Sequence, residues 1–302
     1  MKTKKYSFYK EKYGYYFILP YFIVFSIFIL YPLVYTFYLS MTRYDGFSEI
    51  TWVGFQNYGR LIKDQFFWKS FVNTWRIWIV NIIPQIGIAL LLASWFSDVR
   101  YRIKGSGFFR AVFYLPNLVT AASVALLFNV LLDWQHGAIN QLMISMGILK
   151  EPIHWLGEST LMPLIVSFIQ WWLWFGHTLI LIMAGILGID PSYYEAAVVD
   201  GANRWQIFIR ITLPLLKPIM LYVIVTSLIG GMQIFDIPFV LTDGKGAPAS
   251  SLLTMVVYLY NQGFQYNNFG YGAAIAYTLF LVILLCTVVL IRFYHKGDKE
   301  YE

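Results

Sequence analysis

Long apolar runs separated by short charged segments set the pattern of this chain. Six stretches qualify as membrane spans: about 15–39, 73–96, 111–132, 162–188, 218–240 and 269–293. A hydrocarbon core of about 30 Å needs roughly 20 apolar residues at helical rise. The runs are continuously apolar rather than alternating. Their backbone hydrogen bonds must therefore close within helices and not within a barrel. The pattern predicts an all-α membrane protein with six transmembrane helices. The first run is too long for a signal-peptide core and lacks a small-residue cleavage site, so it reads as an uncleaved span. Residues 1–14 then form an N-terminal tail, 15–293 the transmembrane domain and 294–302 a C-terminal tail.

Composition sharpens this reading. Of 302 residues, 59% are apolar, 20% aromatic and 13% charged. A soluble domain carries about 25% charged residues, so an ordinary globular enzyme is excluded, as are disordered, collagen-like and coiled-coil chains. The net charge of +6 does not mark a nucleic-acid surface, because the basic residues gather at the ends of apolar runs and not along one face. Their distribution sets orientation. Fifteen lie in the N-terminal tail, in the second connection (Arg100, Arg102, Lys104, Arg110), in the fourth (Arg204, Arg210, Lys217) and in the C-terminal tail. Six lie in 43–69 and at Lys150 and Lys245, with Arg76 placed to snorkel near an outer end. The positive-inside rule puts both termini in the cytoplasm, as an even number of spans requires. Trp134 and Trp155 read as membrane-belt aromatics. The single cysteine, Cys286, sits in an apolar run and permits no intrachain disulfide.

Catalytic motifs are missing. The one Gly-Lys pair, Gly244-Lys245, is followed by Gly246, so no P-loop exists. His136, His154, His177 and His295 fall on different segments and suggest no metal site.

The informative segment is 190–217. Asp190 or Ser192 can cap a first short helix opened by Pro191, and Gly201 can supply a positive-φ break. Asn203 with Gln206 has capping-box spacing for a second helix. Trp205, Phe208, Ile209 and Thr212 lie along one face of that helix. Pro214 and Pro218 are expected to end it and re-aim the chain. Periodicity alone is equally consistent with a loop lying on lipid headgroups.

The spacing goes further. Glu195-Ala196-Ala197, three residues, Gly201, nine residues, then Ile211-x-Leu213-Pro214 resembles the EAA loop of membrane subunits of binding-protein-dependent ATP-binding-cassette importers. Val53-Gly54-Phe55-Gln56-Asn57-Tyr58, Asn73-Thr74, Phe109-Arg110 with Leu115-Pro116, Phe235-Asp236 with Leu241-Thr242-Asp243-Gly244, and Phe269-Gly270-Tyr271-Gly272-Ala273-Ala274 are similar to segments of the carbohydrate branch of that family. The expected six spans with short loops depart from the maltose-type larger permease, which has extra N-terminal spans and a folded outer domain. The resemblance implies a type I importer permease fold and no catalysis by this chain. It implies a second permease subunit, a pair of ATPase subunits that use ATP and Mg, an extracytoplasmic sugar-binding protein, a sugar substrate and contact with membrane lipid, but no nucleic acid and no cofactor in this chain. It assigns ATPase coupling to Tyr193, Tyr194, Glu195, Ala196, Ala197, Asp200, Gly201 and Arg204. Glu195 would make a polar contact and Gly201 would set the bend. Other cargoes of the superfamily (glycerol-phosphate, amino acid or peptide) and a polytopic membrane enzyme are the alternatives.

Polar groups within apolar runs need a partner or a watered cavity. Asn117 and Thr120 are expected on one face of the third span, with Asn129 farther along. Gln170, Trp174 and His177 form a stripe in the fourth, and Gln233 and Asp236 stand one turn apart in the fifth. Either they hydrogen-bond neighbouring helices or they line a substrate route, for which Asn117, Gln170, Trp174, His177, Gln233 and Asp236 are the candidates.

Overall fold

The computed structural model describes residues 4–97 and 105–298. Lys2, Arg100, Arg102, Lys104 and Lys299 of the charge count lie outside the described residues. In chain order the elements are α1 (Tyr13–Ser40), β1 (Thr42–Arg43), β2 (Thr51–Trp52), α2 (Gln56–Lys63), α3 (Gln65–Phe96), α4 (Ser106–Tyr114), α5 (Ala121–Leu131), α6 (Ala138–Ser145), α7 (Met162–Leu187), α8 (Pro191–Val199), α9 (Arg204–Ile207), α10 (Lys217–Met232), α11 (Asp236–Thr242), α12 (Met255–Tyr260) and α13 (Phe269–Asp298). The helix containing α1 begins at Lys4, inside the tail expected from sequence. It passes through a π-helical turn at Ser26–Leu30. That widening precedes Pro32, whose ring would clash with the carbonyl of residue 28 in a regular helix.

Among the described residues, five helices are long and apolar enough to cross a membrane: Tyr13–Ser40, Gln65–Phe96, Met162–Leu187, Lys217–Thr242 and Phe269–Tyr294. The third expected span is different. Gly107–Leu118 and Ala121–Leu131 meet at 92°, so 111–132 is not one straight helix. The cause is local. Pro116 sits in a 3-10 turn at Leu115–Leu118, and Thr120 starts a new helix by accepting from the Ser123 amide at 3.3 Å. The fifth span is also broken, between Met232 and Asp236. The break frees the Ile234 carbonyl, and the Thr254 hydroxyl donates to it at 2.9 Å. Buried backbone freed in this way must find such a partner in an apolar setting.

The chain clusters into two units, residues 1–63 with 259–278, and residues 64–258 with 279–302. In the first, β1 and β2 pair antiparallel, Thr42 opposite Trp52. Asn57 donates to the carbonyls of Ser40 (2.9 Å) and Thr42 (2.8 Å), and the Tyr58 hydroxyl bonds Ser40 Oγ at 2.7 Å. Gly270 lets the start of α13 close on this hairpin, since a Cβ there would lie 2.0 Å from the Thr42 carbonyl oxygen. The Arg60 guanidinium lies 4.1 Å from the Tyr271 ring centre.

The second unit is built on α3 and α7. One core cluster includes Ile77, Val124, Met162, Ile169, Ile237 and Leu252. Another includes Ala89, Phe175, Leu179, Ile182, Leu216 and Val223. α4 packs hard on α7 at Gly176, where a Cβ would fall 1.9 Å from the Phe113 oxygen. Asn73 donates to the carbonyls of Ser250 (2.7 Å) and Leu253 (3.1 Å), and Thr74 Oγ1 accepts from the Met255 amide at 3.0 Å. These bonds hold the 243–254 loop against α3. In segment 133–161, Asn140 donates to the carbonyls of Trp134 and Ile153 and accepts from Trp155 Nε1 at 2.8 Å. Trp155 is thus a half-buried loop fastener and not simply a belt aromatic. Trp134 is exposed, its ring tilted against that of His154 with centres 5.2 Å apart.

Candidate functional site

Segment 190–217 folds as its punctuation dictates. Asp190 caps α8 by accepting from the Ser192 amide at 2.9 Å. That amide, and then the Ser192 side chain, hold the Asp190 carboxyl below the usual carboxylate range. α8 ends at Asp200, and Gly201 follows at φ +76° with open space where a Cβ would stand. The capping box at α9 is complete: Asn203 accepts from the Gln206 amide at 2.9 Å, and Gln206 accepts from the Asn203 amide at 2.8 Å.

Pro214 does not end the second helix. The chain continues from α9 through a π turn at Phe208–Thr212 and one turn at Leu213–Leu215, with only Leu216 before α10. The π turn makes room for the proline ring against the preceding carbonyls. The packed side chains there are Ile207 and Thr212, while Trp205 and Ile209 of the expected apolar face are exposed.

Within α8 only Ala197 is buried. Tyr193, Glu195, Ala196 and Asp200 are exposed, as are Gly201 and Arg204 beyond it, and Val199 is 87% exposed. Tyr194 is half-buried, its hydroxyl 3.4 Å from Thr212 Oγ1. Glu195, Tyr194 and Arg204 border a cavity of about 350 Å³ whose other walls include Trp95, Ile186 and Phe208. Seven of the eight residues assigned to coupling are therefore on or near an outward-facing surface, anchored through Ala197 and Tyr194.

A second cavity, of about 60 Å³, lies among α3, α7 and α10. Gln170, Trp174 and His177 all line it, together with Ser227, Gly230 and Gly231. Helical spacing on α7 brings those three together. Two further lining residues, Asn81 and Gln85 on α3, were not singled out from the sequence. Their four-residue spacing on a membrane helix was the available signal. Gln85 Nε2 donates to Thr178 Oγ1 at 2.7 Å.

The other three candidates are elsewhere. The Asn117 amide donates to the Leu173 carbonyl at 3.3 Å, fastening the 3-10 turn to α7. The 92° bend removes the common face with Thr120 and Asn129 that an unbroken third span would have had. Gln233 and Asp236 flank the break in the fifth span, so helical spacing does not align them, and both are exposed away from the cavity.

Residues 77–297 match the family described as binding-protein-dependent transport system inner membrane component. The chain belongs to this family. As a transport-system inner membrane component it is a membrane protein and not an enzyme, and it is similar over nearly its whole length to curated permeases. It is 33% identical to the lactose transport system permease protein LacF of Rhizobium radiobacter, over 95% of each chain. It is 31% identical to the arabinooligosaccharides transport system permease protein AraP of Bacillus subtilis, over 94% of this chain and 90% of that one. In structure it matches a chain of a bacterial ABC transporter involved in import of the acidic polysaccharide alginate. The TM-score is 0.82 at 24% identity, over 97% of this chain and 99% of the other. This likeness shows that the two share a fold.

Proposed function

We propose that this chain is a permease subunit of an ATP-driven sugar importer. It works with a second permease subunit, a pair of ATPase subunits and an extracytoplasmic sugar-binding protein. One observation carries the reading: the complete EAA pattern folds as a capped helix, a positive-φ glycine and a capping-box helix, with the helix surface around Glu195 exposed. The names of the lactose and arabinooligosaccharide relatives support carbohydrate as cargo.

In this reading α8 docks on an ATPase subunit. Glu195 makes the polar contact, Ala196 permits close approach, and Tyr193, Asp200 and Arg204 border the docked face. Ala197 and Tyr194 anchor the helix to the membrane helices, so that ATP-driven movement of the ATPase is passed on. ATP and Mg belong to those partners. Energy enters as differential binding of the inward- and outward-facing states. Gln170, Trp174 and His177 supply part of the substrate route: the amide forks to adjacent hydroxyls and the tryptophan face packs on C–H surfaces. The basic-residue distribution supports placing both termini and the coupling segment in the cytoplasm.

The test is purification of the tagged chain from membranes expressing the whole system, followed by sugar uptake in proteoliposomes. Co-purification of an ATPase and a second integral membrane protein, with ATP-dependent uptake of a sugar, is expected. Isolation of the chain alone, with uptake that does not depend on ATP, would overturn the proposal.

A further inference from the structure

The α3–α7–α10 cavity has a charge character that bears on what passes it. Asn81 and Gln85 stand one helical turn apart and are each 3% exposed. The Asn81 side-chain Oδ1 is fully enclosed and has no hydrogen-bond partner among the described residues. Gln85 is bonded at one end of its amide, to Thr178, while Oε1 has no partner. The great majority of buried polar groups in folded proteins are bonded, so two enclosed amide oxygens without a partner, on residues that line one cavity, point to a hydrogen-bonding ligand.

In the rest of the lining His177 is the one ionisable side chain. Gln170, Thr178, Thr226 and Ser227 add amide and hydroxyl groups, and among the described residues no Lys, Arg, Asp or Glu lines the cavity. Arg76 is on α3 but exposed, and it stands about 140° around the helix from Asn81. Ser227 accepts from Trp78 Nε1 at 3.3 Å, and a Cβ on Gly231 would lie 2.1 Å from Trp78, so α10 closes tightly beside the cavity. The volume of about 60 Å³ admits a few water-sized groups, which is the edge of a sugar ring and not the whole ring. Trp174, 43% exposed, offers an aromatic face at the same place.

We infer that this chain's half of the route takes a neutral, polyhydroxylated cargo and disfavours anionic ones, with the amides of Asn81 and Gln85 as the groups that read it. The inference rests on reading the cavity as part of the route. Vicinal hydroxyls can donate to one amide end and accept from the other, whichever end faces inward. A carboxylate or phosphate would be stripped of water next to amide and hydroxyl dipoles, with no lysine or arginine to compensate and the His177 imidazole as the one group there able to take a positive charge. Such a site differs in kind from one suited to an acidic polysaccharide.

The test uses the whole importer, with its own binding protein, in proteoliposomes. ATP-driven uptake per assembled complex is measured for lactose, maltotriose and an arabinotriose, and against them a galacturonate trisaccharide and glycerol 3-phosphate. At least one neutral cargo should move ten-fold or more faster than either anion. Asn81→Ala, the near-isosteric Asn81→Leu, and Gln85→Ala should each lower that uptake about five- to ten-fold. Removing an amide whose oxygen has no partner should leave the melting temperature of the Asn81 variants unchanged or raised. If the variants lower uptake but the transported cargo is anionic, the charge inference fails and the route stands. If uptake per complex is unchanged in all three, the cavity is not on the route and both readings fail. Loss of assembly in both Asn81 variants would make the amide a structural bond and overturn the inference.

Discussion

Gly201 and Asn73 illustrate two ways in which a single residue matters. At Gly201 nothing crowds the position of a Cβ, so a side chain there is opposed by the backbone alone. Left-handed conformation costs an L-residue about 1–2 kcal/mol, more when the residue is β-branched. Gly201→Val should reduce sugar-stimulated ATP hydrolysis by about ten-fold, with Gly201→Ala intermediate and membrane insertion normal in both. Glu195→Lys should reduce it comparably by reversing charge at the proposed docking face. ATPase assays on purified complexes check all three, and wild-type rates in Gly201→Val and Glu195→Lys would remove the docking role. Asn73 acts through packing instead. Asn73→Ala would take the side-chain donor from the buried Leu253 carbonyl, at about 1–3 kcal/mol, while the part-buried Ser250 carbonyl keeps the Leu253 amide. The complex should melt several degrees lower while uptake per surviving complex stays near wild type.

At the level of elements, the two broken spans determine which polar side chains meet. Proline and a capping threonine divide the third, and the fifth opens at residues 233–235, leaving a carbonyl that Thr254 satisfies. Thr254→Val keeps the shape of the side chain but loses that donor. It should destabilise the complex by about 1–3 kcal/mol, read as a lower thermal midpoint, and speed amide exchange around Ile234. The cap of α8 has its own pH sign. Because Asp190 is held below its ordinary value of 3.8, its contribution is fully present above that value and is lost as pH falls through the depressed one. Exchange rates of the α8 amides should therefore be flat in relative protection between pH 6 and 8. Protection that rises or falls with pH across this window would implicate another group.

For the whole molecule, orientation is the property on which every assignment depends. Val199, 87% exposed on the coupling segment, is a suitable reporter. On a background lacking Cys286, Val199→Cys should resist an impermeant maleimide added to intact cells and react once the membrane is opened. Labelling from outside would invert the topology and separate the coupling segment from any cytoplasmic ATPase.

Six apolar runs, the capping box at Asn203 and Gln206, the positive-φ role of Gly201 and the Gln170–Trp174–His177 stripe were all legible along the chain. Each depends on local physics: a periodicity, a side chain reaching its own backbone, or a φ that only glycine takes without strain. The family's outer motifs were legible only as patterns. In three dimensions Asn57, Asn73 and Gly270 prove to be fasteners that tie distant backbone together. Other features depended on tertiary structure. Apolar content alone does not register a bend between two equally apolar half-helices, so the 92° turn, and with it the placement of Asn117, was hidden. Nor does spacing on one helix show which neighbour faces it. The meeting of Asn81 and Gln85 with the α7 stripe, and the exclusion of Gln233 and Asp236, were decided by packing: glycine lets α10 close against Trp78, and the freed Ile234 carbonyl finds its donor twenty residues away.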